Sequence, residues 1–168
     1  MDATAEAAFR EFVTASGSRL LRAAYLLTGD RGHAEDLVQV ALERTAYRWS
    51  GLEGSPEAFA RTVLVRAAAD RWRRRRARPQ EVFDDDYEPG VSDGMDQMLL
   101  RRELVIALQL LPARQRAVLV LRYFLDLSEA ETARELHIRV GTVKSAASRG
   151  LDRLRTLVPA DLGQGAHR

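Results

Sequence analysis

No cysteine occurs in the 168 residues, which excludes disulfides and thiolate metal sites and removes any sign of an oxidising compartment. Long apolar runs are missing as well. None approaches the roughly 20 residues that a membrane span requires, so no span is expected. The opening MDATAEAAFREF is acidic and lacks the basic start and apolar run of a secretory signal, so a cytoplasmic location is expected. His33, His137 and His167 stand apart, and no pair has metal-ligand spacing. Glycine-rich phosphate loops and nucleophile elbows are absent. Asp84, Asp85 and Asp86 adjoin, but nothing rigid surrounds them. The expectation is therefore no catalytic residue, no metal, no cofactor and no enzymatic activity. Net charge is also small, at +2 from 26 Lys and Arg against 24 Asp and Glu. Any affinity for a polyanion must then come from local segregation of charge.

What the chain does have is helical periodicity, with no convincing strand-period segment and no internal repeat. Apolar residues, at 46%, suffice for cores. Phe9, Phe12, Val13, Leu20, Leu21, Ala24 and Leu27 form one apolar stripe over residues 3–27, with a bend expected at Ser16, Gly17 and Ser18. Gly29 suits a C-terminal cap and Asp30 the next N-cap. A second helix over 31–49 buries Ala34, Leu37, Val38, Ala41, Leu42 and Thr45, and shows Glu35, Asp36, Gln39, Glu43 and Arg44 on its other side. After a loop with Gly51 and Gly54, Ser55-Pro56-Glu57 starts a third helix reaching about residue 76, with Phe59, Ala60, Val63, Leu64 and Ala67 inward.

Charge separates sharply beyond this point. Between Pro56 and Arg78 eight arginines face two acids, a net of +6. The run Arg73-Arg74-Arg75-Arg76 covers all sides of a helix, as an electropositive surface for a polyanion would. Trp72 beside it is either a core residue or a stacking platform for a base. Residues 79–97 are the opposite: seven acids (Glu81, Asp84, Asp85, Asp86, Glu88, Asp93, Asp96), no base, and Pro79, Pro89, Gly90 and Gly94 as breakers. This composition reads as a flexible acidic linker between two domains. A helix from 96 or 97 to 111 carries Met98, Leu99, Val105, Ile106 and Leu108, and Pro112 opens another, with Val118, Leu119, Leu121 and Tyr123 as its core.

The stretch LSEAETARELHIRVGTVKSAASRGLDRLRTLV points most directly to a task. Ser128 and Glu131 have capping-box spacing, so a short helix should run to about Leu136. His137 then suits a left-handed turn position. In the run from Val140, the residues Val143, Ala147, Gly150, Leu151, Leu154 and Val158 recur on one apolar face. Arg139, Thr142, Lys144, Ser145, Ser148 and Arg149 decorate the other side. Small polar groups and cations on the second of two short helices suit a groove lined by phosphates and base edges, the arrangement of a helix-turn-helix. The tail 159–168 is expected to be disordered.

The fold expected is thus all-α, as two small helical domains, 1–78 and 98–158, joined by the acidic linker 79–97. Three motifs within it resemble parts of bacterial sigma factors of the extracytoplasmic-function group. RLLRAAYLLTGDRGHAEDLVQVALERTAYRW resembles their part that binds core polymerase, SPEAFARTVLVRAAADRWRRRR their promoter-opening helix, and LLPARQRAVLVLRYFLDLSEAETARELHIRVGTVKSAASRGLDRLR their fourth region. The likeness covers roughly residues 9–157 in order, and is strongest to short actinobacterial-type members.

That resemblance implies a promoter-specificity subunit of RNA polymerase. Its partners would be core polymerase (beta prime and beta subunits), promoter DNA and an anti-sigma factor where one exists. The second helix, around Glu35, Asp36, Leu37, Gln39, Leu42 and Arg44, would dock on the beta prime coiled coil. The Trp49–Ser55 loop, with Trp49, Ser50 and Gly51, would hold a base flipped from the non-template strand of the minus-ten element. Arg61, Arg66, Trp72, Arg73, Arg74, Arg75 and Arg76 would follow the melted strand. Arg139, Thr142, Lys144, Ser145, Ser148 and Arg149 would meet the minus-thirty-five element. The chain departs from the family pattern at His137, where Gly is usual, at Arg139, where Ser is usual, and at Arg66, where Asn is frequent. It also departs at Ala146 and Ser148, where basic or aromatic residues are common. Two other readings fit the residues less fully: a stand-alone helix-turn-helix regulator, and a DNA-processing enzyme, for which the N-terminal domain supplies no nucleophile or metal cluster.

Overall fold

The structure, a computed structural model, describes residues 2–76 and 102–158, the side chains of Arg75 and Arg76 excepted. The expected linker 79–97, Met98, Leu99 and the tail 159–168 lie outside the described residues. The described residues form seven α-helices and no strand. The chain divides into two compact units, one within residues 1–87 and one within 88–168.

The first unit packs α1 (Ala3–Thr28), α2 (Arg31–Arg48) and α3 (Pro56–Arg76) around one core. Asp2 starts α1 by accepting from the Ala5 N–H at 2.8 Å. The bend expected at residues 16–18 does not occur, and the helix runs unbroken. Ser and Gly cost a helix interior only about 1 kcal/mol each at most, which burial of the flanking stripe outweighs. Gly29 ends α1 in the left-handed region (φ 70°), its N–H donating to Tyr25 O at 2.7 Å, and Asp30 caps α2 through the His33 N–H at 2.7 Å. Ser55 Oγ accepts from the Ala58 N–H at 3.3 Å at the start of α3.

Ala23, Ala24, Ala34, Ala41 and Ala60 are all fully buried, so the three helices approach over side chains no larger than a methyl group. Leu20, Leu64 and Val65 fill the remaining space. Thr45, also fully buried, satisfies its hydroxyl by donating to Ala41 O at 2.7 Å within its own helix.

The second unit holds α4 (Arg102–Leu110), α5 (Ala113–Leu119), α6 (Glu129–Leu136) and α7 (Val140–Leu157). The end of α5 widens into a π-helical turn, Val120–Phe124, in which the Leu125 N–H donates to Val120 O at 3.0 Å. Such a turn holds one more residue than an α-turn and so rotates the side chains beyond it about the helix axis. Leu125 and Leu127 point inward as a result, whereas Tyr123, expected in the core, is 54% exposed beside the Arg122 guanidinium.

Arg116 is the unit's buried cation, only 6% exposed. Its guanidinium donates to Leu108 O (2.9 Å), Gln109 O (3.2 Å), Leu111 O (3.1 Å) and Gln109 Oε1 (2.7 Å). It thereby ties the end of α4 to the start of α5, adding to the bond that Leu108 O accepts from the Leu111 N–H at 3.2 Å. Burial pushes its pKa down to about 10, so it remains charged at neutral pH. Gly150 permits the close approach of α7 to α5, since a Cβ there would stand 3.1 Å from Leu119 Cδ1.

Candidate nucleic-acid interface and docking groove

In the second unit α6 and α7 meet across a tight turn. Ser128 Oγ accepts from the Glu131 N–H at 3.1 Å, and the Ser128 N–H donates to Glu131 Oε2 at 2.7 Å, a complete capping box. His137 occupies the left-handed region (φ 52°, ψ 45°), and the Ile138 N–H reaches back to Ala133 O at 3.0 Å. Ile138 and Leu136 then pack on Val118, Ala133, Val143 and Ala146, which locks the angle between the two helices. Arg139 enters α7 in an extended conformation without capping it through its side chain.

Along α7 the residues Arg139, Lys144, Ser145, Ser148 and Arg149 are exposed and Thr142 is half-buried. Thr142, Ser145 and Arg149, at steps of three and four, share one face. Ser145 Oγ donates to Thr142 O at 3.1 Å, which leaves its lone pairs facing outward as acceptors. Lys144 Nζ lies 3.7 Å from Glu129 of α6, so its charge is partly engaged within the motif. Ala146 is only 7% exposed and belongs to the core. Its small size is therefore a packing requirement, not a missing base contact.

In the first unit the candidate residues fall into two groups. On α3, Arg66, Asp70, Arg73 and Arg74 are exposed at spacings that define one face, with Arg61, Arg71 and Trp72 half-buried. Asp70 sits amid these cations and pairs with Arg73. Arg75 and Arg76 lie in the helix, and their side chains are outside the described set. Upstream, a short 3-10 turn, Trp49–Gly51, exposes Ser50 and Gly51. Trp49, which the resemblance places in the base-holding loop, instead directs its ring into its own unit. It meets Phe9 edge-on, with centroids 5.2 Å apart, and Phe12 at 5.7 Å.

The second group surrounds a groove of about 490 Å³ between α1 and α2. Phe9, Gly17, Leu21, Val38, Leu42 and Ala46 make its apolar part, and Glu35, Gln39 and Glu43 supply its polar part. Arg31 Nε lies 2.7 Å from Glu35, and Gln39 Nε2 donates to Glu43 at 2.9 Å, which fixes the positions of the two carboxylates. Of the six docking residues suggested by the sequence, the groove gathers Glu35, Gln39 and Leu42. Asp36 and Arg44 are exposed but do not line it. Leu37 is 7% exposed, a core residue with no surface to offer a partner.

The contribution of α1 to the groove is invisible in the sequence, because it depends on which helix lies beside α2. Tyr47, a large hydrophobic residue in the last turn of α2 and 91% exposed, is a surface residue that the sequence does not single out. A signal for it exists: Tyr47 falls off the stripe Ala34, Leu37, Ala41 and Thr45. Among the described residues no group of three His, Cys, Asp or Glu could hold a metal ion, and no helix is long and apolar enough to cross a membrane.

Comparison with known proteins gives a consistent result. The family profile described as Sigma-70 region 2 matches residues 12–78, leaving Phe9 upstream of it, and that of Sigma-70, region 4 matches residues 101–154. The RNA polymerase sigma-E factor of Streptomyces coelicolor is 38% identical over 158 residues, covering 92% of this chain and 88% of the relative. The ECF RNA polymerase sigma factor SigM of Mycobacterium tuberculosis is 32% identical over 90% of this chain and 77% of its own length. A solved structure of the sigma factor RpoE from Bartonella quintana, in complex with the anti-sigma factor NepR, superposes with a TM-score of 0.66. It is 25% identical over 88% of this chain and 96% of that one.

Proposed function

The chain belongs to the extracytoplasmic-function sigma factors and is a promoter-recognition subunit for RNA polymerase, and from that premise we propose how its surfaces divide the work. The α1–α2 groove, with Glu35, Gln39, Leu42 and Glu43, takes the coiled coil of the beta prime subunit. The loop 49–55 captures a base of the minus-ten element, and α3 follows the melted strand with Arg66, Arg73 and Arg74. The recognition helix α7 enters the major groove at the minus-thirty-five element. The protein acts by binding alone, without catalysis, and works in the cytoplasm, where polymerase and promoter are. An anti-sigma factor, like the one bound to the Bartonella relative, is a further partner for these same surfaces.

The observation that carries this reading is the match to both sigma regions in order, on helices whose exposed faces have the chemistry each region needs. Reconstitution tests it. Purified chain added to core polymerase should direct initiation at a promoter bearing both elements. Tight, selective duplex binding by the free chain, with no effect on polymerase, would favour a stand-alone regulator instead.

Within that system two surfaces give distinct expectations. Arg149 stands one turn above Ser145, and an arginine paired in bidentate fashion with guanine discriminates by about 1–3 kcal/mol. Arg149→Ala should therefore relax preference at one base pair of the minus-thirty-five element. Lys144→Ala should weaken all sequences about equally and mildly, because Glu129 already shares that charge. Transcription from a panel of single-base promoter variants measures both, and a uniform loss for Arg149→Ala would move it to the backbone contacts.

On α3, the double change Arg73→Ala with Arg74→Ala should flatten the dependence of promoter binding on salt. Removing one arginine–phosphate pair lowers the log–log slope by about one unit. A drop nearer one than two would mean that Asp70 keeps Arg73 from the strand. Binding measured from low to moderate salt resolves the two.

A further inference from the structure

We propose that Phe9 and Phe12 of α1 are positioning residues for the minus-ten loop, acting through Trp49; the inference rests on the assignment of that loop to base capture. The loop has two ends. Its downstream end is held by Ser55, which caps α3, and by Pro56. Its upstream end is the Trp49–Gly51 turn, where the cap gives little hold: the Leu52 N–H reaches Trp49 O only at 3.5 Å. Between these ends Ser50, Gly51, Glu53, Gly54 and Ser55 are exposed, and Gly54 has φ 102°, a conformation that side chains disfavour. Backbone bonding of this kind does not determine where the loop points.

The indole ring supplies what the backbone does not. Trp49 meets Phe9 at an interplanar angle of 88° and Phe12 at 43°, and the two phenyl rings lie 6.0 Å from each other. The three rings form a closed triangle, each pair within the distance at which aromatic rings attract beyond their contact area. A Trp half-buried in such a triangle cannot also act as an open platform for a flipped base. Its role is to fix the first residue of the loop relative to α1, so that Ser50 and Gly51 present their backbone at a constant place.

Phe9 also lines the groove between α1 and α2, so the cleaner variant is Phe12→Leu, which keeps an apolar side chain and removes a ring outside the groove. Holoenzyme reconstituted with the full chain is measured on promoter DNA whose non-template minus-ten strand is single-stranded, with each of the four bases at the captured position. Wild type should discriminate among them. Phe12→Leu should lower the ratio between best and worst base by about three- to ten-fold, the range set by loss of a ring pair. Affinity for core polymerase should stay unchanged, and Trp49→Phe, which retains a ring, should restore most of the ratio relative to Trp49→Leu.

An equal loss on all four bases, or an unchanged ratio with a lower unfolding midpoint, would mean that the rings serve only the core and would overturn the proposal. Should Phe12→Leu fail to fold, the comparison of Trp49→Phe with Trp49→Leu decides on the same criterion. If wild type itself showed no preference, base capture by this loop would be wrong, and the positioning role would fall with it.

Discussion

Replacing Arg116 by leucine is expected to destabilise the C-terminal unit by about 2–4 kcal/mol. Leucine replaces the aliphatic stem but leaves the space of the buried guanidinium unfilled, which adds to the cost. The substitution also removes a donor to three main-chain carbonyls, Leu108 O, Gln109 O and Leu111 O, around the turn between α4 and α5, of which Leu108 O keeps its bond from the Leu111 N–H. A buried acceptor left unpaired costs roughly 1–3 kcal/mol. Against this stands relief of the desolvation that pushes the Arg116 pKa down to about 10. The carbonyls outweigh it, because the guanidinium already recovers hydrogen bonds through all three of its nitrogens. Arg116→Lys should fall between, since one ammonium cannot span the same acceptors. For a unit of this size about 3 kcal/mol corresponds to a fall of roughly 12–24 °C in the midpoint. Thermal and urea unfolding of the full chain, followed by helical circular dichroism, measures it. A loss below about 0.5 kcal/mol would mean that water takes over the carbonyls and that Arg116 is a passenger.

That residue also marks the limit of what is legible in the sequence. Features fixed by three or four neighbouring residues can be read directly: the Ser128–Glu131 box, the left-handed His137, the Gly29 stop and the Asp30 start. Each is a local competition for hydrogen bonds, decided within one turn of helix. So is the inward stripe of α2 through Ala34, Leu37, Ala41 and Thr45, where period and burial agree.

Sequence and structure part where distant residues decide. Tyr123 reads as core on an α-helical count, and only the π turn at Val120–Phe124 carries it to the surface. Ala146 stands out in the sequence only as a departure from the family pattern, and its packing role emerges once α7 is set against α5 at Gly150. Arg116 carries no sequence signal, since nothing local announces that the end of α4 offers buried acceptors to it. The groove has the same character. Its α2 half is implied by the family resemblance, since exposed polar residues alone read as a solvated face, and its floor of Phe9, Gly17 and Leu21 depends on helix pairing.

The groove makes the other large effect predictable. Leu42→Glu is expected to lower affinity for core polymerase about thirty-fold or more, with the helical fold intact. Leu42 is half-buried at the middle of the apolar lining, between Gln39 and Ala46 one turn to either side. Binding energy concentrates in such central, desolvated positions, where truncation costs about 2 kcal/mol or more, a factor of roughly thirty. A carboxylate there would have to be desolvated on docking, and it would add a third negative charge beside Glu35 and Glu43. In the free protein it can extend to water from a helix that tolerates glutamate, so folding should be little affected. Asp36→Arg supplies the contrast. Asp36 is exposed on the same helix outside the groove, where a charge reversal acts mainly on association rate and salt dependence. It should cost only a few-fold. Titration of labelled chain with core polymerase, alongside circular dichroism of each variant, separates the cases. If Asp36→Arg proved as damaging as Leu42→Glu, the docking face would be centred on the acidic side of α2, and the groove would lie at its edge.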